Sequence, residues 1–181
     1  RRARHGRRGR LGAVMYRPAL ILAVDPGRSC GVALLLHGHP VLVRTVRGDL
    51  LGHILAVIQH VAKLQAEHGM ATVVLELQYQ PRESKDGKRR GSNPKALATL
   101  YKRRHYWEIL AEVYGLAVEL VYPATWQTVL GEVPKLDAEG NKRTTKARAR
   151  AYAEKHFKGK AKDDEQGDAL AMGHWRWRQG A

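Results

Sequence analysis

The chain is 181 residues long and carries 32 Lys and Arg against 17 Asp and Glu, for a formal net charge of +15. That length suits one domain with a real core, and the charge points to a polyanionic partner such as nucleic acid. A single cysteine, Cys30, excludes an intrachain disulfide and any thiol-based zinc ribbon or finger, and it fits a reducing compartment.

Six of the first ten residues are Arg, ahead of the first Met, Met15. Residues 1–17 therefore read as a basic, flexible tail, a processed leader or an upstream read-through, with the domain proper over 18–178. Removing those six charges from +15 still leaves +9, so the domain itself is basic.

Three apolar runs come first, PALILAVDPG (18–27), CGVALLLHG (30–38) and PVLVRTVRG (40–48). Short links, Asp-Pro-Gly-Arg-Ser and then His-Gly-His-Pro, favour antiparallel hairpins between them. Residues 49–69 place apolar side chains at helical spacing, with Asp49 as N-cap and Gly69 as C-cap. ATVVLELQY (71–79) returns to a strand, and 80–92 is a basic, exposed loop. A helix follows from Pro94 to about Tyr114, then a fifth strand over 116–123 and a short helical piece over 126–131. A basic helix over 146–157 and a last helix from about Asp163 to Trp177 complete the chain.

The order βββαβαβαα predicts an α/β fold with a five-stranded mixed sheet and helices on both faces. The longest apolar runs are too short to span a bilayer and read as strands, so a soluble, cytoplasmic protein is expected.

Three acidic sites stand out. Asp25 ends the most apolar strand, where a carboxylate costs desolvation free energy unless a cation or hydrogen bonds compensate. Asp-Pro-Gly is also a turn former for local reasons, and both readings are open. Glu76 interrupts the apolar run VVLELQY, either facing out from a half-solvated sheet or held by a partner. In DDEQGDALAM (163–172), acids suit a first helical turn, but Asp168 lies deeper and shares a face with Asp164 and Glu165. Hard oxygen donors without Cys select Mg²⁺ or Mn²⁺, ions that support phosphodiester hydrolysis.

These residues resemble the RuvC-type Holliday junction resolvases of the ribonuclease H-like superfamily. ILAVDPGRSCGVALL (21–35), LELQY (75–79), YPATWQTVLG (122–131), TTKARARAYAEKHF (144–157) and DDEQGDALAM (163–172) are similar to family motifs in family order, across about residues 19–175. The resemblance implies a ribonuclease H-like fold and a metal-binding, catalytic tetrad of Asp25, Glu76, Glu165 and Asp168, with Asp164 in reserve for Glu165. It implies two Mg²⁺ ions, replaceable by Mn²⁺, and Lys146 as the lysine that stabilises charge on the phosphate.

Tyr79 matches the aromatic that stacks on an unpaired base near the crossover, while a strand-end Tyr packed on the core is an equal reading. The implied partner is four-way junction DNA, cut by paired strokes of a homodimer in a bacterial or phage-infected cell, near the nucleoid. Phosphates would be gripped by Arg82, Lys85, Lys88, Arg89 and Arg90, by Lys102, Arg103 and Arg104, and by Lys142, Arg143, Arg148 and Arg150. The chain departs from the family in its long basic loop after Tyr79 and in Trp126, which stands where a basic residue is expected. Both departures fit a divergent, phage-encoded branch. Two other classes are open: a ribonuclease H-like nuclease acting on hybrids or RNA, and a junction-binding protein without catalysis.

Overall fold

Near-continuous apolar runs in the central strands suit a sheet whose two faces are both covered. A computed structural model describes residues 18–48, 50–77 and 94–180. The expected tail, the Asp49 cap and the 80–92 loop lie outside the described residues. The strands are β1 (Leu20–Asp25), β2 (Cys30–Leu36), β3 (His39–Val46), β4 (Ala71–Glu76) and β5 (Ala117–Val121). The helices are α1 (Leu50–His68), α2 (Pro94–Val113), a four-residue α3 (Pro123–Trp126) that runs into a 3-10 turn over Gln127–Glu132, α4 (Thr145–Phe157) and α5 (Asp164–Gln179). The short helical piece expected over 126–131 is thus an α-turn started at Pro123, where proline's fixed φ suits the first helical position.

The five strands order as β3-β2-β1-β4-β5. The expected hairpins are present, β1 with β2 and β2 with β3 antiparallel, while β1–β4 and β4–β5 are parallel. This is the mixed α/β sheet that the element order predicts.

Period-two alternation assigns the faces. Leu20, Leu22 and Val24 of β1 join Val73 and Leu75 of β4 in a core closed by α1 and by Trp107 and Ala111 of α2. Ile21, Ala23 and Val74 face the other way, onto Tyr152 of α4 and Ala171, Met172 and Trp175 of α5. Gly173 lets α5 lie flat on the sheet, because a Cβ there would come 2.7 Å from Leu35 Cδ1 and 3.1 Å from Ala23 Cβ. Trp175 is core, and Trp177 covers the β2–β3 turn, where a Cβ on Gly38 would meet its ring. Among the described residues no helix is long and apolar enough to cross a membrane.

Candidate active site

The parity that sorts the core also aims the acids. Asp25 continues the 21, 23 series and Glu76 continues the 72, 74 series, so both carboxylates face the α4–α5 layer. The strands are parallel with Val24 opposite Leu75, which sets Asp25 and Glu76 side by side at their carboxyl ends. That end of a parallel pair is where open α/β sheets form their clefts.

Asp25 and Glu76 share a hydrogen bond, and Asp25 also accepts from the Gly27 backbone. Asp25 thus takes part in the turn and also meets Glu76. Burial, more than any neighbour, raises its pKa. Glu76 is pushed up to about 8, first by burial and then by the Asp25 charge, and Trp126 opposes this through a hydrogen bond. Trp126 is buried and donates its Nε1–H to Glu76 Oε1 at 3.2 Å.

The α5 helix supplies the remaining acids. Asp163 is its N-cap, accepting from Gln166 N at 2.9 Å, so the first turn begins at Asp164 and Glu165. Asp168 is 7% exposed, and its pKa is pushed up to about 7 by burial and the Asp25 charge. Its Oδ1 is buried without a hydrogen-bond partner among the described residues.

Lys146, in the first turn of α4, bonds Glu165 Oε1 at 3.1 Å. Burial works against its charge, but Glu165, Asp168 and Asp25 outweigh this and raise its pKa. The structure therefore gathers Asp25, Glu76, Glu165, Asp168 and Lys146 from four elements. Asp164 instead lines a neighbouring cavity of about 730 Å³ with Lys142, Arg143 and Arg150.

One glycine sets the spacing between sheet and helix. Gly31 pairs with Asp25 across β1 and β2, and a Cβ on it would lie 2.0 Å from the Glu165 carbonyl oxygen. Real Cβ atoms do not approach backbone so closely, so this position admits only glycine without displacement of α5.

Among the described residues no three His, Cys, Asp or Glu side chains form a ready-made ligand set. The donor chemistry nonetheless suits a divalent cation. Mutually repelling oxygens hold raised pKa values, and one buried oxygen is without a partner, all of which a hard cation would relieve.

The other expected contacts divide by exposure. Lys102 is exposed above the Tyr106 ring, and Lys142 and Arg150 are exposed as well. Arg103 donates to the carbonyls of Gly27 at 2.8 Å and Arg28 at 2.5 Å, bracing the turn after Asp25. Arg104 forms an ion pair with Glu108 at 2.8 Å, and Arg148 donates to the Leu130 carbonyl. Tyr79, Arg82, Lys85, Lys88, Arg89 and Arg90 lie outside the described residues.

The sequence reading missed the Trp126 bond to Glu76, since an indole fifty residues away in sequence gives no local signal. It also assigned no role to the histidines. His156 and Arg178 meet on Glu132, and Tyr152 bonds His174 Nδ1 at 2.8 Å, a network that ties α4, α5 and the 3-10 turn together.

No protein-family model matches the chain, and no curated protein matches it. Solved structures do. A structure described as T. thermophilus RuvC in complex with Holliday junction substrate superposes with a TM-score of 0.58 at 14% identity, covering 86% of this chain and 90% of that one. A second, described as Thermus thermophilus RuvC structure, gives 0.55 at 14% identity, over 86% and 92% of the two chains. The fold is the ribonuclease H-like fold of these proteins.

Proposed function

We propose that this protein is a metal-dependent, structure-selective DNA endonuclease that resolves four-way junctions. The convergence of Asp25, Glu76, Glu165 and Asp168 with Lys146, at the carboxyl end of a RuvC-like sheet, carries this reading. The net charge of +15 supports a polyanionic substrate.

Asp25, Glu76, Glu165 and Asp168 would hold Mg²⁺ or Mn²⁺. When bound, such ions supply Lewis-acid stabilisation and a water of lowered pKa for hydrolysis of a phosphodiester. The chain's own residues do the rest. Trp126 fixes one oxygen of Glu76 and favours its charged form. Lys146 is half exposed, so its ammonium can leave Glu165 to meet a phosphate oxygen and stabilise developing charge. Arg103 holds the turn behind Asp25, which fixes that carboxylate's approach.

Exposed Lys102, Lys142 and Arg150, with Arg143, would take backbone phosphates without reading sequence. Two opposed cuts call for a C₂ dimer. Ile109 and Val113 on α2, 55% and 71% exposed, are apolar surface for it.

Side-by-side digestion of an immobile four-way junction, an RNA–DNA hybrid and plain duplex, with Asp168→Asn as control, tests the reading. Paired nicks confined to the junction and lost in the variant are expected. Selective cutting of the hybrid would instead make this a hybrid nuclease. Junction binding without cleavage in Mg²⁺ or Mn²⁺ would leave a binding protein.

A further inference from the structure

The open edge of the sheet carries a cationic feature separate from the carboxylate cluster. Along edge strand β3, Arg44 stands opposite Val32 on the α1 side and Thr45 opposite Gly31 on the α5 side. Around that edge lies a groove of about 580 Å³ lined by Arg44, Arg47, His53 and Lys162, with Asp163 and Gln166.

Asp163 is the only acid lining it among the described residues, and its oxygens are already engaged. Oδ2 accepts from Thr45 Oγ1 at 2.5 Å and from Gln166 Nε2 at 3.4 Å, while Oδ1 accepts from Gln166 N. Arg47 reaches only 4.0 Å from it, with 71% of its side chain exposed. Arg44 spends one nitrogen on the His53 carbonyl at 3.3 Å, while its Nε is buried without a hydrogen-bond partner among the described residues. Among the described residues three permanent cations thus face one compensated acid in an open groove of mixed lining, and that excess of positive charge suits an anion.

The position gives the ligand. Asp25 pairs with Gly31 and Gly31 with Thr45, so the groove stands two strand spacings, or about 10 Å, from the carboxylates. One strand of a duplex rises ~3.4 Å per nucleotide along the helix axis and also winds around it, so phosphates about 10 Å apart are at most about three nucleotides apart.

We propose that this groove binds a backbone phosphate of the nucleic-acid substrate, within about three nucleotides of the phosphate at the carboxylate site. This rests on the nuclease reading for its substrate class. Arg44, Arg47 and Lys162 hold the strand at a second point and fix its direction across the sheet.

The test uses the full chain in EDTA, so that binding is read without cleavage. A labelled four-way junction is titrated at several salt concentrations with wild type, Arg47→Gln/Lys162→Gln and Arg47→Lys. Both altered positions are exposed, and unchanged circular dichroism checks folding. The double variant is expected to bind about tenfold more weakly and to lower the slope of log affinity against log salt by roughly 1 to 2, with the lysine variant keeping the wild-type slope.

A methylphosphonate scan along the substrate needs no altered protein. Neutral linkages about one to three nucleotides from the cut should weaken wild-type binding and cost the double variant nothing more. Unchanged slopes, or losses that add independently, overturn the proposal. So does loss of inorganic phosphate binding, read by calorimetry, in a variant that keeps its DNA affinity and slope, because the groove is then a free-phosphate site. A wild type that binds the junction normally yet cuts nothing in Mg²⁺ sinks the nuclease reading and leaves the groove result standing.

Discussion

The indole of Trp126 donates to Glu76 Oε1 at 3.2 Å from a fully buried position, so a hydrophobic side chain supplies a neutral hydrogen bond that favours the charged form of this carboxylate against burial and the Asp25 charge. Hydrogen bonds to charged groups are worth about 1.5–3 kcal/mol. Trp126→Phe keeps most of the packing and removes that donor. Calorimetric titration with Mn²⁺ should show affinity reduced by about tenfold or more, with the melting temperature falling only modestly. Unchanged Mn²⁺ affinity would reduce Trp126 to a packing residue.

Stability and pH should be linked through the same cluster. Folding raises Glu76 from 4.5 to about 8 and Asp168 from 3.8 to about 7. A carboxyl whose folded pKa is raised contributes its stability below the unfolded value and loses it as pH climbs through the folded one. Metal-free protein should therefore lose on the order of a few kcal/mol between about pH 4.5 and 8. Mg²⁺ should restore melting temperature most at the alkaline end. Thermal melts across pH in EDTA and in Mg²⁺ check both statements.

Asp168→Asn should separate function from stability. It removes a buried charge with an unpartnered oxygen. At pH 8.5 without metal the variant should melt about 2–4 °C above wild type, corresponding to roughly 1 kcal/mol for a chain of this size. At pH 5, where Asp168 is already protonated in the folded protein, the gain should vanish. Metal-induced stabilisation and cleavage should both be lost. A variant that melts lower at pH 8.5 would show that the Asp168 charge is compensated as it stands.

The element order was legible from apolar runs, turn residues and helical spacing, whereas the face taken by Asp25 and Glu76 was not. Both parities of β1 and β4 are apolar, and only the packing of α4 and α5 over Ile21, Ala23 and Val74 shows which face the two carboxylates take. The register of α5 was not legible, so Asp164 stood in reserve for Glu165; in the structure the helix begins at Asp164 and Glu165 lies beside Lys146. Charge reads less well still. Arg103, Arg104 and Arg148 count as cations in sequence, yet they are engaged by turn carbonyls, Glu108 and the Leu130 carbonyl. Arg44 and Arg47 passed as ordinary strand residues, because only the packing of α5 against the sheet edge brings Lys162 to them.

Gly31→Ala probes the closest approach in the site. A methyl group would overlap the Glu165 carbonyl at 2.0 Å, and overpacking of this kind costs about 1–3 kcal/mol. The melting temperature should drop by roughly 3–10 °C, with Mn²⁺ affinity lowered because Glu165 moves with its helix. A neutral result would mean that α5 shifts freely on the sheet.

That backbone contact also bears on how such a site can be found in other chains. The acids are replaceable by one another in principle, Asp for Glu, with a small change of reach. The empty position at Gly31, six residues beyond Asp25, has no substitute, since any side chain would wedge helix from sheet. In distant sequences where the carboxylates have traded places, a glycine at this offset from the strand-end acid is the sharper signature to search for.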